Sequence, residues 1–258
     1  MTLHATQDLF REDAYLRQCT ARVLAVTDLG IVLDRTVFYP LGGGQAGDSG
    51  VLQLGSGEDG DASQMEFKII DTRKCKDAEG KPTAGIAHMP APDQEGLLAM
   101  LRPGTQVLAR IDWQRRHRMM RFHTTTHLLC HLVPQLVNGC SITPDYARLD
   151  FNMTEPLDKD ALSAGIAKLV AAALPVQVGA ITDEELDANP ALVKSMSVQP
   201  PRGTGRIRTI RVGGAELVDF QPCGGTHVNN TSEIGAVVVT KIEKKSAMTR
   251  RVVLGFAA

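Results

Sequence analysis

The sequence predicts an α+β fold, in which a small N-terminal β-barrel domain is followed by a two-layer α/β domain with an antiparallel sheet. Up to about residue 105, short strand-like segments alternate with turns rich in Gly and Asp. After that point, helical apolar periodicity and strand-like alternation are mixed. The length of 258 residues suits one large domain or two modest ones. We therefore expect one domain at residues 1–105 and a second at 106–258.

The first domain begins with a predicted hairpin, residues 21–26 and 30–34. Its apolar and β-branched residues are typical of strands, and a Gly/Asp-rich turn is expected at 55–60. Further strands are predicted at 51–54, 65–71 and 106–111. The domain boundary falls near the last of these, within residues 102–112.

A run of three glycines, Gly42, Gly43 and Gly44, is the most unusual segment of the first domain, and Gln45 follows it directly. Consecutive glycines with a polar residue at the tip let the backbone approach a ligand closely. An ordinary wide turn is the alternative interpretation. The run lacks the lysine of a phosphate-binding P-loop.

The second domain opens with a predicted helix that starts near Asp112, a suitable N-cap, and ends near Pro134. His123 and His127 are four residues apart, so a helix places both imidazoles on one face. Thr124 stands where the HExxH motif has its glutamate. The sequence therefore argues against a thermolysin-like peptidase.

The rest of the second domain is predicted to mix helices with an antiparallel sheet. A helix at 158–174 is rich in Ala, Leu and Ile, and a short acidic helix follows at 183–187. The predicted strands are 146–151, 175–178, 206–212, 217–220, 236–243 and 251–256.

A second pair of metal-ligating residue types, Cys223 and His227, follows the strand at 217–220. Pro222 ends that strand, and the two glycines after Cys223 let the chain turn until thiol and imidazole face one point. With His123 and His127 they offer four N/S ligands, the set that zinc prefers. Either pair alone arises often by chance; together they predict a Zn²⁺ site.

Bulk charge does not indicate a nucleic-acid partner, because 28 basic and 29 acidic residues give a net charge of −1. Basic residues are nevertheless clustered before and after the two ligand pairs, where they could bind an anionic ligand. Solvated helix and strand surfaces are the alternative for each cluster. The clusters are Arg115, Arg116, His117, Arg118 and Arg121; Arg202, Arg206, Arg208 and Arg211; and Lys241, Lys244, Lys245, Arg250 and Arg251.

Five scattered cysteines form no disulfide framework, and a reducing, cytoplasmic setting fits them best. The N-terminus shows neither the basic nor the apolar region of a signal peptide. No apolar run approaches the roughly 18 residues that a membrane span needs. The sequence therefore predicts no membrane association, and no obligate protein partner is evident.

Two motifs resemble the editing domain of alanyl-tRNA synthetase: the segment from His123 to His127, His-Thr-Thr-Thr-His, and the segment from Cys223 to His227, Cys-Gly-Gly-Thr-His. The intervening residues 146–151 and the glycine run with its preceding Phe-Tyr-Pro are similar to the same protein. The likeness covers most of a chain that has no room for an aminoacylation domain. The sequence thus resembles the free-standing AlaX family of alanyl-tRNA trans-editing proteins, in its medium-length form. Leu41 departs from the pattern, since relatives often carry a small or polar residue there.

This resemblance implies an ATP-independent hydrolase that acts on the acceptor end of tRNA(Ala) carrying misattached serine, and in some members glycine. It implies that His123, His127, Cys223 and His227 bind Zn²⁺ and that the glycine run approaches the substrate end. Candidate catalytic residues are Thr124 and Gln45. Candidate substrate-binding residues are Gly42, Gly43, Gly44, Gln45, Arg121 and Thr125.

Two other classes of function are also compatible with the residues. One is a zinc-stabilised RNA-binding module without catalysis, in which four protein ligands close the metal site. The other is a metallohydrolase for small esters.

Overall fold

A computed structural model of the chain describes residues 5–54, 65–203 and 205–257, so the turn expected at 55–60 lies outside the described residues. The chain folds into two units. The first comprises Met1–Gly42 and Ala46–Arg116, and the second comprises Gly43–Gln45 and His117–Ala258. Mixed α and β structure with antiparallel sheets is confirmed.

The first unit consists mainly of strands. They are β1 (Gln7–Asp8), β2 (Gln18–Thr27), β3 (Gly30–Leu33), β4 (Arg35–Thr36), β5 (Gly50–Leu54), β6 (Glu66–Lys76), β7 (Pro82–Pro90) and β8 (Gln106–Ile111). Among the residues of this unit that the structure describes, one short helix, α1 (Glu95–Leu98), and two 3-10 turns, Leu9–Arg11 and Pro92–Gln94, lie between the strands.

Six of these strands pair in the order β2-β3-β7-β6-β5-β8, and β8 also pairs with β2, so the sheet closes into a barrel. All six pairings are antiparallel. Alternate residues of β8, namely Val107, Ala109 and Ile111, are buried and join a core that includes Phe38 and Phe67. Successive side chains of a strand point to opposite faces of the sheet, so every second residue lies in this core.

The strand β8 belongs to the first unit and lies in the stretch 102–112 where the sequence analysis expects the domain boundary. It lies between β2 and β5, and pairs with β2 over residues 106–110 and with β5 over residues 107–111. The first unit extends to Arg116. Strand pairing is a long-range interaction, so the local pattern could not show which unit would hold this strand.

A buried ion pair between Arg116 and Asp48 fastens the C-terminal end of the first unit. Both side chains are fully buried, and Arg116 Nε donates to Asp48 Oδ2 over 2.9 Å. Arg116 also donates to the main-chain oxygens of Val37 (2.6 Å) and Ala14 (3.0 Å), while Asp48 Oδ2 accepts from Tyr39 N over 2.7 Å. Arg116, assigned above to a basic surface cluster, therefore contributes no exposed charge.

The second unit contains three helices and seven strands among the described residues. The helices are α2 (Trp113–Leu132), α3 (Lys159–Ala171) and α4 (Asp183–Ala188). The strands are β9 (Val137–Ile142), β10 (Ala147–Asn152), β11 (Val176–Ile181), β12 (Ile207–Val212), β13 (Asp219–Pro222), β14 (Val237–Ser246) and β15 (Thr249–Phe256). Two 3-10 turns, Pro190–Leu192 and Thr231–Ile234, complete it. The first residues of α2, up to Arg116, belong to the first unit.

The strands of the second unit form two antiparallel sheets, ordered β14-β15-β10-β9 and β11-β12-β13. Side-chain caps define the helix starts that the sequence predicts. Asp112 Oδ1 accepts from Arg115 N at the start of α2, and Asp158 accepts from the main chain at the start of α3. In the described part of the chain, no helix is both long and apolar enough to cross a membrane.

Candidate metal centre

The helix α2 carries His123 and His127 into the interior of the second unit. Phe122, Leu128 and Leu129 are fully buried on the same helix and anchor it in the core. Because the two histidines are one helical turn apart, their rings lie side by side with centroids 5.6 Å apart. Both imidazoles are almost completely buried.

The turn after β13 supplies Cys223 and His227, and Arg208 of β12 holds it in place. Arg208 Nη1 donates to the main-chain oxygens of Cys223 (2.7 Å) and Gly225 (3.0 Å). A side chain at Gly225 would collide with the ring of His123, so only glycine fits at this point of the turn. Arg208, grouped above with a basic cluster, thus stabilises the ligand turn.

The structure brings His123, His127, Cys223 and His227 together, with ligand atoms all within 4.8 Å of one another. Cys223 Sγ lies 3.4 Å from His123 Nε2 and 3.3 Å from His227 Nε2. Tetrahedral zinc, with Zn–S of about 2.3 Å and Zn–N of about 2.1 Å, separates sulfur from nitrogen by about 3.6 Å. The size and chemistry of this donor set therefore fit a zinc ion.

Each histidine of the cluster uses Nδ1 for a partner within the protein. His123 Nδ1 lies 2.8 Å from Gln45 Oε1, His127 Nδ1 lies 2.7 Å from Asp219 Oδ2, and His227 Nδ1 lies 3.2 Å from Thr124 Oγ1. A hydrogen bond at one ring nitrogen sets the tautomer and leaves the other nitrogen free to bind metal. The Nε2 atoms of His123 and His227 accordingly face the thiol.

Asp219, which the sequence analysis identifies only as a strand residue, is a central part of this arrangement. Its buried carboxylate forms an ion pair with Lys194 Nζ and accepts from Gln221 Nε2 over 2.9 Å. Burial raises the pKa of Asp219, but the hydrogen bond and charge of His127 and the charge of Lys194 outweigh it and lower that pKa to about 2. The carboxylate behind His127 is therefore ionised at neutral pH.

The electrostatics favour the thiolate form of Cys223. Burial raises the pKa of its thiol, but the imidazoles of His123 and His227 more than offset this and hold the pKa well below its usual value. Burial and the neighbouring His123 lower the pKa of His227. Thiolate and neutral imidazole are the forms that bind metal.

His127 is the exception, because its environment favours a proton. Burial lowers its pKa, but the hydrogen bonds and charges of Asp219 and Cys223 raise it to about 9. A metal ion that bound this ring at neutral pH would therefore displace a proton.

The hydroxyl of Thr124 is fully used within the protein. It donates to Met120 O (3.0 Å), lies against His227 Nδ1 and accepts from Val228 N (3.3 Å). A hydroxyl has one proton and two lone pairs, so none remains for a substrate. In this arrangement the hydroxyl of Thr124 lies against the ring of His227.

Thr125 and Arg121 lie on the neighbouring part of α2 and also have partners inside the second unit. The buried Thr125 donates its hydroxyl to Arg121 O over 2.8 Å. Arg121 Nε donates to Ile234 O over 2.7 Å, and its guanidinium lies 4.1 Å from the ring centroid of Phe256. Burial, followed by the charge of Arg118, lowers the pKa of Arg121.

The glycine run is divided between the two units: Gly42 belongs to the first unit, and Gly43 and Gly44 belong to the second. Gly43 and Gly44 have φ values of 57° and 85°, which favour glycine. Gly44 O accepts from Ile142 N over 2.7 Å, and a Cβ on Gly44 would lie 2.9 Å from Cys140 Sγ. The run is therefore held closely against β9, and Gln45 enters the metal centre directly after it.

Comparison with known proteins agrees with this site. Residues 207–253, which contain Cys223 and His227, match the family described as the threonyl and alanyl tRNA synthetase second additional domain. The chain is 32% identical over 254 residues to the alanyl-tRNA editing protein AlaX-M of Saccharolobus solfataricus, covering 96% of this chain and 97% of that protein. It is 34% identical over 258 residues to the AlaX-M protein of Methanosarcina barkeri, with 95% and 97% covered.

A longer relative shows the same likeness over part of its length. The alanine–tRNA ligase of Hyperthermus butylicus is 34% identical over 250 residues, which cover 93% of this chain and 24% of the ligase. The match to the AlaX-M proteins, in contrast, extends over nearly their whole length. The chain therefore belongs to the AlaX family of alanyl-tRNA editing proteins.

Proposed function

We propose that this chain is a hydrolase that removes misattached serine from tRNA(Ala), with glycine as a second candidate amino acid. The observation that carries the proposal is the convergence of His123, His127, Cys223 and His227 on one point. The names of the full-length relatives point to alanyl-tRNA editing. Since editing accompanies translation, we place the activity in the cytoplasm, with the acceptor end of tRNA(Ala) as partner.

His123, His127, Cys223 and His227 would hold Zn²⁺ in this proposal. When bound there, zinc supplies either a Lewis acid for the ester carbonyl or a fixed point for the amino acid. Asp219 and Thr124 orient the rings of His127 and His227 through Nδ1. The fold thus provides a prearranged, buried donor set rather than one that must assemble around the ligand.

The substrate end is proposed to contact the glycine run Gly42, Gly43 and Gly44. Gly43 is exposed and carries no side chain, so its main chain is accessible to a ribose or an amino acid. Arg121 is proposed to add positive charge beside the acceptor end while its Nε remains bound to Ile234 O. Thr125 supports this stretch of α2 through its bond to Arg121 O.

Deacylation of Ser-tRNA(Ala) and Ala-tRNA(Ala) tests the proposal directly, with zinc quantified in the same sample. We expect rapid hydrolysis of Ser-tRNA(Ala) and little hydrolysis of Ala-tRNA(Ala). Protein groups that hydrogen-bond the serine hydroxyl would have no partner when alanine occupies the site. That contrast amounts to about 10²-fold or more in kcat/KM, since a lost buried hydrogen bond costs several kcal/mol. Zinc-loaded protein that spares both substrates would indicate a non-catalytic RNA-binding module instead. Turnover of simple esters without turnover of the tRNA would indicate a small-molecule metallohydrolase.

Replacement of Asp219 by asparagine is expected to weaken zinc binding about 10–100-fold, as for other carboxylates that orient a metal-binding histidine. The amide keeps the size of the side chain but removes the charge that faces His127 Nδ1 and Lys194. Zinc affinity is measured by competition with a chromophoric chelator. Asp187→Asn is the matched control, because Asp187 is exposed and pairs with Arg202. Equal affinities of the two variants would contradict the role assigned to Asp219.

A further inference from the structure

We propose that Gln45 is a positioning residue that sets the tautomer of His123 and couples the segment 43–45 to the occupancy of the metal centre. The inference rests on the metal site of the proposed function but not on the identity of the substrate. It replaces the expectation that Gln45 contacts the reacting atoms with a specific structural role.

The carboxamide of Gln45 is fully buried and is shared between the two ligand-bearing segments. On one side, Oε1 lies 2.8 Å from His123 Nδ1 of α2. On the other side, Oε1 accepts from Thr226 N (3.1 Å), and Nε2 donates to Thr226 Oγ1 (2.9 Å). One side chain thus joins the histidine helix to the turn that holds Cys223 and His227.

The main-chain N–H of Thr226 fixes which way this carboxamide points. A main-chain N–H only donates, so it must face Oε1 and not the Nε2 amide group. With Oε1 in that place, His123 Nδ1 must carry the proton that it donates. The lone pair of His123 then resides on Nε2, which is the atom that faces Cys223 Sγ at 3.4 Å. The main-chain N–H of Thr226 thus orients the Gln45 carboxamide, and the carboxamide in turn selects the tautomer of His123 that can bind a metal through Nε2.

The same residue is the end of the glycine run, and its backbone is also fixed. Gln45 forms a parallel bridge with Ile142 of β9, and Gly44 O accepts from Ile142 N over 2.7 Å. The backbone at 44–45 is thus anchored on β9, and the side chain is anchored at the metal centre. A metal ion that orders the four donor side chains therefore also orders segment 43–45. Because such coupling acts equally in both directions, an ordered segment 43–45 increases the affinity for the metal.

Three variants of the full chain test the inference. Gln45→Leu removes every polar atom of the carboxamide at similar volume, whereas Gln45→Glu keeps acceptors for His123 Nδ1 and Thr226 N. Gln94→Leu is the matched control in the first unit, because Gln94 is a buried glutamine whose carboxamide binds Lys68 N (2.7 Å) and Lys68 O (2.8 Å). Zinc dissociation constants are measured by chelator competition.

We expect Gln45→Leu to weaken zinc binding about 10–100-fold, Gln45→Glu to stay within about threefold of the parent, and Gln94→Leu to be unchanged. The visible spectrum of the cobalt-substituted protein should change in Gln45→Leu and be restored in Gln45→Glu. The inference would be overturned if Gln45→Leu bound zinc as tightly as Gln94→Leu. It would also be overturned if Gln45→Glu bound zinc as weakly as Gln45→Leu.

Hydrogen exchange tests the coupling itself. Added zinc is expected to slow amide exchange of a peptide covering residues 43–45 in the parent and to have no such effect in Gln45→Leu. Equal protection in both proteins would overturn the coupling. A parent that binds no zinc would refute the metal site and this inference together, whereas a zinc-binding parent that spares Ser-tRNA(Ala) would refute only the proposed activity.

Discussion

Replacing Cys223 with serine is expected to abolish stable zinc binding and to lower deacylation of Ser-tRNA(Ala) about 10²–10⁴-fold, the effect of several kcal/mol lost from the transition state. The thiolate is the one anionic donor of the cluster, and the neighbouring imidazoles hold its pKa well below the usual value. Serine has nearly the same size, but its hydroxyl stays protonated and is a poor ligand for zinc. The loss should therefore arise from the donor atom and not from packing.

Zinc per chain and single-turnover deacylation rates are measured on the same preparations of both proteins. Cys75→Ser serves as the control, because Cys75 is a partly buried free thiol in the first unit and burial raises its pKa. Its zinc content and rate should equal those of the parent. A Cys223→Ser protein that retains one zinc per chain would show that the ligand assignment is incorrect.

Replacing Arg116 with alanine is expected to reduce the free energy of unfolding by about 3–5 kcal/mol, the usual cost of removing one partner of a buried ion pair. Asp48 would then remain as a buried carboxylate without its guanidinium, and Val37 O and Ala14 O would lose their donors. Urea denaturation, followed by circular dichroism, measures the change. Arg73→Ala is the control, since Arg73 is half-exposed beside Asp71 and such pairs contribute about 0–1 kcal/mol.

Asp48→Asn separates charge from packing in the same site. The amide oxygen can still accept from Tyr39 N, which lies 2.7 Å from the carboxylate, but it leaves the charge of Arg116 unpaired. We expect a destabilisation comparable to that of Arg116→Ala. If both variants unfolded at the urea concentration of the Arg73→Ala protein, the buried pair would have no stabilising role.

The cluster of four candidate ligands is predictable because each pair lies within five consecutive residues of recognisable local structure. Asp112 begins α2, and the four-residue interval then places His123 and His127 on one face. The partners behind the ligands are not predictable from spacing. Gln45 lies 78 residues before His123, and Asp219 lies 92 residues after His127. No local periodicity relates residues so far apart.

The elements that sequence patterns misjudge are those whose formation depends on a distant neighbour. β9 contains Asn138 and Gly139, which disfavour strands, but pairing with β10 overrides that preference. β8 is predicted as a strand, yet its place between β2 and β5 requires the tertiary fold. Basic residues are misjudged for a related reason, since Arg116 and Arg208 are engaged by a buried carboxylate and by main-chain oxygens.

The distance along the chain between the two ligand pairs links metal binding to folding. His123 and Cys223 are 100 residues apart, so an unfolded chain offers zinc at most one local pair of donors at a time. A ligand that binds the folded form far more tightly than the unfolded one shifts the unfolding equilibrium by mass action, by about 1.4 kcal/mol for each tenfold rise in free ligand above its dissociation constant. If zinc binds at this centre as proposed, the stability of the second unit depends on zinc availability, while the first unit relies on its own core and its buried ion pair.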